Sequence, residues 1–284
     1  MYKLSLENEH GDVLQLTNTP DYTVLEIDGL YPPSANIITS QMSLYDGSKF
    51  NSSKVNERQL EIAMAIEPDA ETNRIALYRI VKTKRYIKVN YENGQRNVYV
   101  EGYVSDVNIS FFEMKQQATI SILCPEPYFR SAEEIIETAR SIIPKLHFPF
   151  ATTATEPKVF SYYEANTERN VTNEGDVECG MIIEISCRDE VINPAIVNTD
   201  TLEYFRLTTT LEAGDVLYIT TQRGQKRARV YRDGEYINLF NYIAKGSTWL
   251  QLQPGDNIFM YEADSTTAQY MEVRFMHQNL YEGV

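Results

Sequence analysis

The sequence predicts a mainly β protein in two parts. Three observations carry that reading. Hydrophobic residues recur at alternate positions over most of the chain, Asn, Asp, Gly and Pro punctuate these runs, and a stretch without pattern near Phe148–Thr155 separates two such arrays. The 284 residues exceed a domain of roughly 100–200 residues and suit two. At 43% hydrophobic, the chain can build a core without staples. Tyrosine is favoured, 20 against 11 Phe and a single Trp, a choice that suits pleated surfaces and interfaces alike.

The elements follow in order. Tyr2, Leu4 and Leu6 share one face of a first strand, Glu9–Asp12 turns, and Val13–Thr17 returns. Val24–Leu30 is a further strand, closed by Tyr31-Pro32-Pro33, because proline cannot donate to a ladder. Residues 46–53 are polar and unpatterned and read as a loop. Leu60–Ile66 alternates again. Past Pro68, Asp69 is an N-cap candidate for a helix over about 70–83, with Ile75, Tyr78 and Lys82 at helical spacing and Leu77 and Val81 beside them. Tyr86–Tyr91 and Asn97–Val104 flank Asn93-Gly94, a strong hairpin signal when both residues take positive φ. Val107–Phe111 and Ala118–Leu123 pair next, and Pro125-Glu126-Pro127 stops them. Ser131-Ala132-Glu133-Glu134 has the form of a capping box, and Ile135, Ile136, Ala139, Ile142 and Ile143 fall on one helical face, predicting a second helix over 131–143 that Pro144 ends. These readings give an N-terminal domain over 1–144 and a C-terminal one over 145–284.

The second part is strand and turn throughout: Met181–Ile185, Pro194–Asn198, Tyr204–Leu207, Val216–Thr220, a tight hairpin on Asp233-Gly234, Trp249–Leu252, Asn257–Tyr261 and Met271–Phe275. Short strands at this spacing predict a sandwich or jelly roll. Leu211–Tyr218 and Leu252–Phe259 echo each other, with Gly-Asp before a strand in both. Two similar turns explain this; a calcium or sugar site on Asp215 or Asp256 is the sharper alternative.

The net charge of −14 is spread over both parts, 15 basic against 20 acidic residues in 1–145 and 11 against 20 in 146–284. That balance disfavours sequence-independent nucleic-acid binding and docking on anionic lipid. Short basic clusters stand at Lys82–Arg85 and Arg223–Arg232. Three cysteines, Cys124, Cys179 and Cys187, do not form a disulfide framework. The opening residues lack a signal peptide's apolar run, and no stretch approaches the ~18 apolar residues of a membrane span.

The search for chemistry returns no catalytic, cofactor-binding or metal-binding residues. His10, His147 and His277 lie far apart, without metal-site spacing, and Cys179 and Cys187 form no zinc knuckle. Phosphate-loop, dinucleotide and nucleophile-elbow patterns are absent. Carboxylates are plentiful enough that accidental pairs are inevitable in a β-sandwich. The expectation is a structural or binding protein, not an enzyme.

Over nearly its full length the chain resembles the distal tail protein family of bacteriophages with long flexible tails, the siphovirus-type tail component. The resemblance lies in Ile27–Leu30, in Tyr99–Val104, and above all in Ile120–Phe129, where a strand closes on a Pro- and aromatic-rich turn. It continues in Asn193–Ile196, Leu211–Thr221, Gly246–Asn257 and Leu280–Val284. It implies a ring-forming N-terminal β domain with one or two helices and a long hairpin, and an outward-facing galectin-like sandwich. It further implies a hexameric ring at the tail tip, assembled in the host cytoplasm, that joins tail tube to tail-tip hub and holds receptor-binding proteins. DNA would pass the bore without specific binding, and no membrane or cofactor would be involved. A carbohydrate-binding module working through Trp249 is the alternative from another class, and a glycoside hydrolase is the third.

Overall fold

The computed structural model describes residues 2–284 except 42, 44, 45, 114, 140, 145–160, 165–167 and 266. His147 and the Phe148–Thr155 stretch lie outside the described residues. The chain forms two compact units, Met1–Glu133 with Leu280–Val284, and Glu134–Asn279. It is mainly β, as the alternation predicts.

In the first unit the strands are β1 (Lys3–Asn8), β2 (Val13–Gln15), β3 (Tyr22–Asp28), β4 (Ala35–Gln41), β5 (Ser48–Val55) and β6 (Arg58–Ile66), then helix α1 (Ala70–Ile80). β7 (Tyr86–Glu92), β8 (Asn97–Ile109), β9 (Gln117–Cys124) and β10 (Phe129–Ser131) follow. The main sheet runs β2-β1-β7-β8-β9-β6-β3, so β3 is an edge strand just ahead of the Pro-Pro stop. β8 is long enough to serve three partners, β7 and β10 through its first half and β9 through its second. Alternation buries Leu4, Leu6, Ile62, Met64, Ile120 and Ile122 on one face. The five-residue return at the other end of the sequence adds β24 (Leu280–Tyr281), which pairs with β10.

The Asn93-Gly94 hairpin forms, but by another route than the sequence suggests. Neither residue has positive φ. Instead the Asn93 side-chain oxygen accepts the N–H groups of Gln95 and Arg96 at 2.9 and 2.7 Å, an Asx-type turn. Helix α1 exists where expected. Asn73, Leu77 and Val81 are buried, while Ile75 and Tyr78 are exposed. Asp69 occupies the N-cap position in a left-handed conformation and makes no capping bond; its carboxylate accepts the Thr72 hydroxyl instead.

Residues 46–53, read as a loop, belong largely to β5, which pairs with β4 in a separate two-stranded ribbon. The helix expected over 131–143 is not there. Residues 135–139 form β11 (Ile135–Ala139), paired to the second unit's sheet, and 141–144 form β12 (Ser141–Pro144) against β13 (Ser161–Glu164). The physical reason is composition: Ile135, Ile136, Thr138, Ile142 and Ile143 are β-branched, which favours strands, and an open strand edge was available to pair with. Ser131, the supposed cap, donates its hydroxyl to the Glu133 carbonyl at 2.8 Å.

The second unit continues with β14 (Glu168–Asn173), β15 (Met181–Cys187), β16 (Val191–Asn198), β17 (Tyr204–Arg206), β18 (Thr210–Leu211) and β19 (Val216–Thr220). It ends with β20 (Arg227–Arg232), β21 (Glu235–Asn238), β22 (Gly255–Asp264) and β23 (Met271–His277). Two antiparallel sheets result, β11-β23-β15-β19-β20-β21 and β14-β22-β16-β17, the latter with β18 on β16. Phe259 and Phe275, one from each sheet, stack at 5.3 Å, so the sheets face each other across a common core. This is the β-sandwich predicted from strand spacing. The Asp233-Gly234 turn has φ of 51° and 88°, as a two-residue hairpin turn requires.

Candidate assembly surfaces

The β4–β5 ribbon is the most unusual surface of the first unit. Its strands pair only with each other, and every residue is exposed except the half-buried Val55. Ile37 and Phe50 are 62% and 60% exposed, and Ile38, next to Ile37, points to the opposite face. A polar ribbon open on both sides carries no alternation, which is why the sequence hid it. A two-stranded hairpin alone is marginal in water, and Ile37, Ile38 and Phe50 stay at least half exposed. A second apolar display is the β8–β9 turn, where Phe112 is fully exposed and Phe111 lies under the Arg74 guanidinium at 4.9 Å.

The ribbon is rooted in a cluster built on Arg58. This side chain is buried, and its guanidinium donates to backbone carbonyls of Pro127 at 2.5 Å, Tyr31 at 2.7 Å, Glu282 at 2.6 Å, and Gly29. It also lies over the Phe129 ring at 4.3 Å. Five donors in a rigid fork suit four convergent acceptors. The returning segment adds its own ties: Arg96 donates to the Gly283 carbonyl and stacks on Tyr281, and Val284 N–H donates to the Leu30 carbonyl. Gly29 is required here, with φ at 89° and a Cβ position only 2.1 Å from the Gln59 carbonyl oxygen. Beside this cluster a cavity of about 430 Å³ opens between Tyr31, Pro33, Ser34, Asn56 and Glu57. Sequence reading assigned Arg58 no role; a basic residue opening an apolar strand was the available signal.

The residues weighed for chemistry are dispersed. His10 is exposed, 3.7 Å from Glu9. His277 is fully buried, and burial pushes its imidazole toward the neutral form. All three thiols are buried, and burial pushes Cys124 and Cys187 up to about 12, so these two stay protonated. Among the described residues no group of three or more His, Cys, Asp or Glu is placed to hold a metal ion. The echo of Gly214-Asp215 and Gly255-Asp256 is one of turns: both glycines have φ near 90°. Their aspartates differ. Burial alone would raise the Asp215 carboxyl, but hydrogen bonds from Arg232 and the Glu212 N–H overcome it and hold the group below its usual 3.8. Asp256 is solvent-facing and accepts the Thr172 hydroxyl at 2.7 Å. Trp249 is half-buried, its ring 5.0 Å from Phe205, a position in the packing and not on an open platform.

Comparison with known proteins bears on the fold. Residues 174–276 match the family model of the siphovirus-type tail component, C-terminal domain. The crystal structure of the Dit protein of phage SPP1, described as a paradigm of the hub adsorption apparatus in phages infecting Gram-positive bacteria, superposes with a TM-score of 0.68 at 12% identity, covering 98% of each chain. Chains of the phage P2 baseplate in its activated conformation, with calcium and with strontium, give TM-scores of 0.57 and 0.54, both at 11% identity over 100% of each chain. No curated protein matches the chain in sequence. The C-terminal unit therefore belongs to the siphovirus-type tail component family, and the chain as a whole has the fold of a phage distal tail protein.

Proposed function

We propose that this chain is a structural protein of the distal end of a long phage tail, where six copies form a ring that adapts the tail tube to the tail-tip hub. The observation that carries the proposal is the β4–β5 ribbon. It displays Ile37, Ile38 and Phe50 to solvent on a pair of strands too small to be stable alone, so its natural burial is against another subunit. The exposed Phe112 turn is a second contact point, suited to a neighbouring component of the tail. The sandwich of the second unit carries the surface available to receptor-binding proteins. No reaction is assigned: the Cys124 and Cys187 thiols are protonated, the buried imidazole is neutral, and the acidic balance leaves passing DNA unbound.

Native mass measurement and negative-stain imaging of the purified chain test this reading. Six-fold rings, alone or on adding the hub protein, are the expected result. A strict monomer at all concentrations and with the hub present would refute it.

A further inference from the structure

The outer face of the second unit's six-stranded sheet ends in an aromatic and cationic shelf at β19, β20 and β21. Register places Tyr218, Arg229 and Asn238 in one cross-strand row and Tyr231 opposite Tyr236 in the next, all on the face away from the core. The Tyr236 ring lies 5.0 Å from Tyr231 and 6.2 Å from Tyr218, and the Arg229 guanidinium covers it at 4.1 Å. Tyr236 and Phe240 are each 55% exposed and flank a cleft of about 240 Å³, with Lys226, Arg227, Ala228, Arg229 and Asn238 completing its lining.

Among the described residues, the cations here lack the ion pairs that several arginines of the second unit make. Arg169, Arg188, Arg206, Arg232 and Arg274 each reach a carboxylate. Among the described residues Lys226, Arg227 and Arg229 have no carboxylate within 4.0 Å, although acidic residues outnumber basic ones overall by 40 to 26. Unpaired cations gathered beside exposed rings, on an acidic protein, need an anionic partner that also has apolar faces to lay on those rings. A nucleic acid carries one charge per nucleotide and meets the repulsion of the whole chain; a sugar polymer with sparser acidic groups meets less of it.

We propose that this shelf binds an anionic polysaccharide, with sugar rings laid on Tyr236 and Phe240 and acidic groups met by Arg229, Lys226 and Arg227. Trp249, the single tryptophan, reports on the site, since Lys226 Nζ lies 5.9 Å and Phe240 6.2 Å from its ring. The experiment titrates the full chain with hyaluronate (one carboxylate per disaccharide), a capsular polysaccharide with one phosphodiester per repeating unit, neutral dextran and oligo(dT), following Trp249 emission and heat. Saturable, salt-weakened binding of one or both acidic polymers is expected, with no response to dextran; the tighter of the two identifies the preferred acidic group. Tyr236→Ala and Arg229→Gln should each weaken binding roughly tenfold, and Tyr236→Phe should preserve it. The double change Lys226→Gln with Arg227→Gln lies wholly on exposed side chains and reads the same contact should Tyr236→Ala fail to fold. Equal binding of dextran, full binding by the variants, tighter binding of oligo(dT), or no response in either signal would overturn the proposal.

Discussion

Replacing Arg58 by Met removes the fork that gathers four carbonyls while keeping most of the apolar stem that lies on Phe129. Two of those carbonyls, Pro127 and Gly29, are reached by buried bonds and would have no partner; those of Tyr31 and Glu282 are partly open to water. A buried acceptor left unsatisfied costs about 1–3 kcal/mol, and the two rehydrating carbonyls add less, so the loss comes to about 4 kcal/mol. Relief of the guanidinium's own desolvation is already part of such measured losses. With a urea slope of about 2 kcal/mol/M for a unit of this size, the midpoint of the first unit should fall by about 2 M. The two units are best followed separately, by hydrogen exchange on β6 and β10 for the first and on β15 for the second. Arg58→Lys should cost nearly as much, because an ammonium cannot span acceptors arranged for a planar fork. A midpoint shift under about 0.5 M, or equal loss of protection in both units, would refute the account of Arg58 as the clamp of the first unit.

Gly29→Ala forces a Cβ to within 2.1 Å of the Gln59 carbonyl oxygen at a φ of 89°, and should cost at least about 3 kcal/mol in urea unfolding. Ile37→Asp combined with Phe50→Asp should leave circular dichroism and melting of the monomer unchanged while abolishing higher-mass species in native mass spectra. His277 is held neutral by burial, so its folded pKa lies below the ordinary 6.5 and the unfolded chain takes up the proton first. The second unit should therefore lose up to about 1.4 kcal/mol per pH unit as pH falls below about 6.5, until the folded pKa is reached, and His277→Gln should remove that slope in urea melts. Asp215 has its folded pKa depressed, so its contribution is complete above the ordinary 3.8 and is lost as pH falls through the lower folded value. Asp215→Asn should cost about 2 kcal/mol at neutral pH and flatten the acid limb of the stability profile below about pH 4.

How much of this was legible depended on whether a residue had one buried side. β1, β6, β8 and β9 have a core face and a solvent face, so Leu4 and Leu6 or Ile120 and Ile122 announce them by alternation. The β4–β5 ribbon has no buried face, so residues 46–53 read as a loop although 48–53 pair with β4. Over 131–143 the isoleucines fit a helical stripe as well as a strand, and only the open edge of β23, far away in sequence, decides between them. The inward face of α1, Asn73, Leu77 and Val81, is hard to read because it includes a polar residue satisfied by nearby carbonyls. The Arg58 clamp was hidden for a similar reason. Its acceptors are backbone oxygens at 29, 31, 127 and 282, and carbonyls leave no mark on the amino-acid alphabet. The aromatic and cationic shelf was visible only as a basic cluster, since the register of β20 on β21 brings Arg229 and Tyr236 together.

The segment Leu280–Val284 belongs to the first unit, although 146 residues of the second unit precede it in the chain. During synthesis, then, Arg58 and Arg96 emerge long before the carbonyls of Glu282 and Gly283 that complete their shells. The N-terminal sheet must wait, partly formed, while the sandwich is made and folded, and only then receive its last strand beside β10. Such an order delays completion of the surface that carries the ribbon until Leu280–Val284 has been made. A truncated or stalled chain would lack a finished first unit.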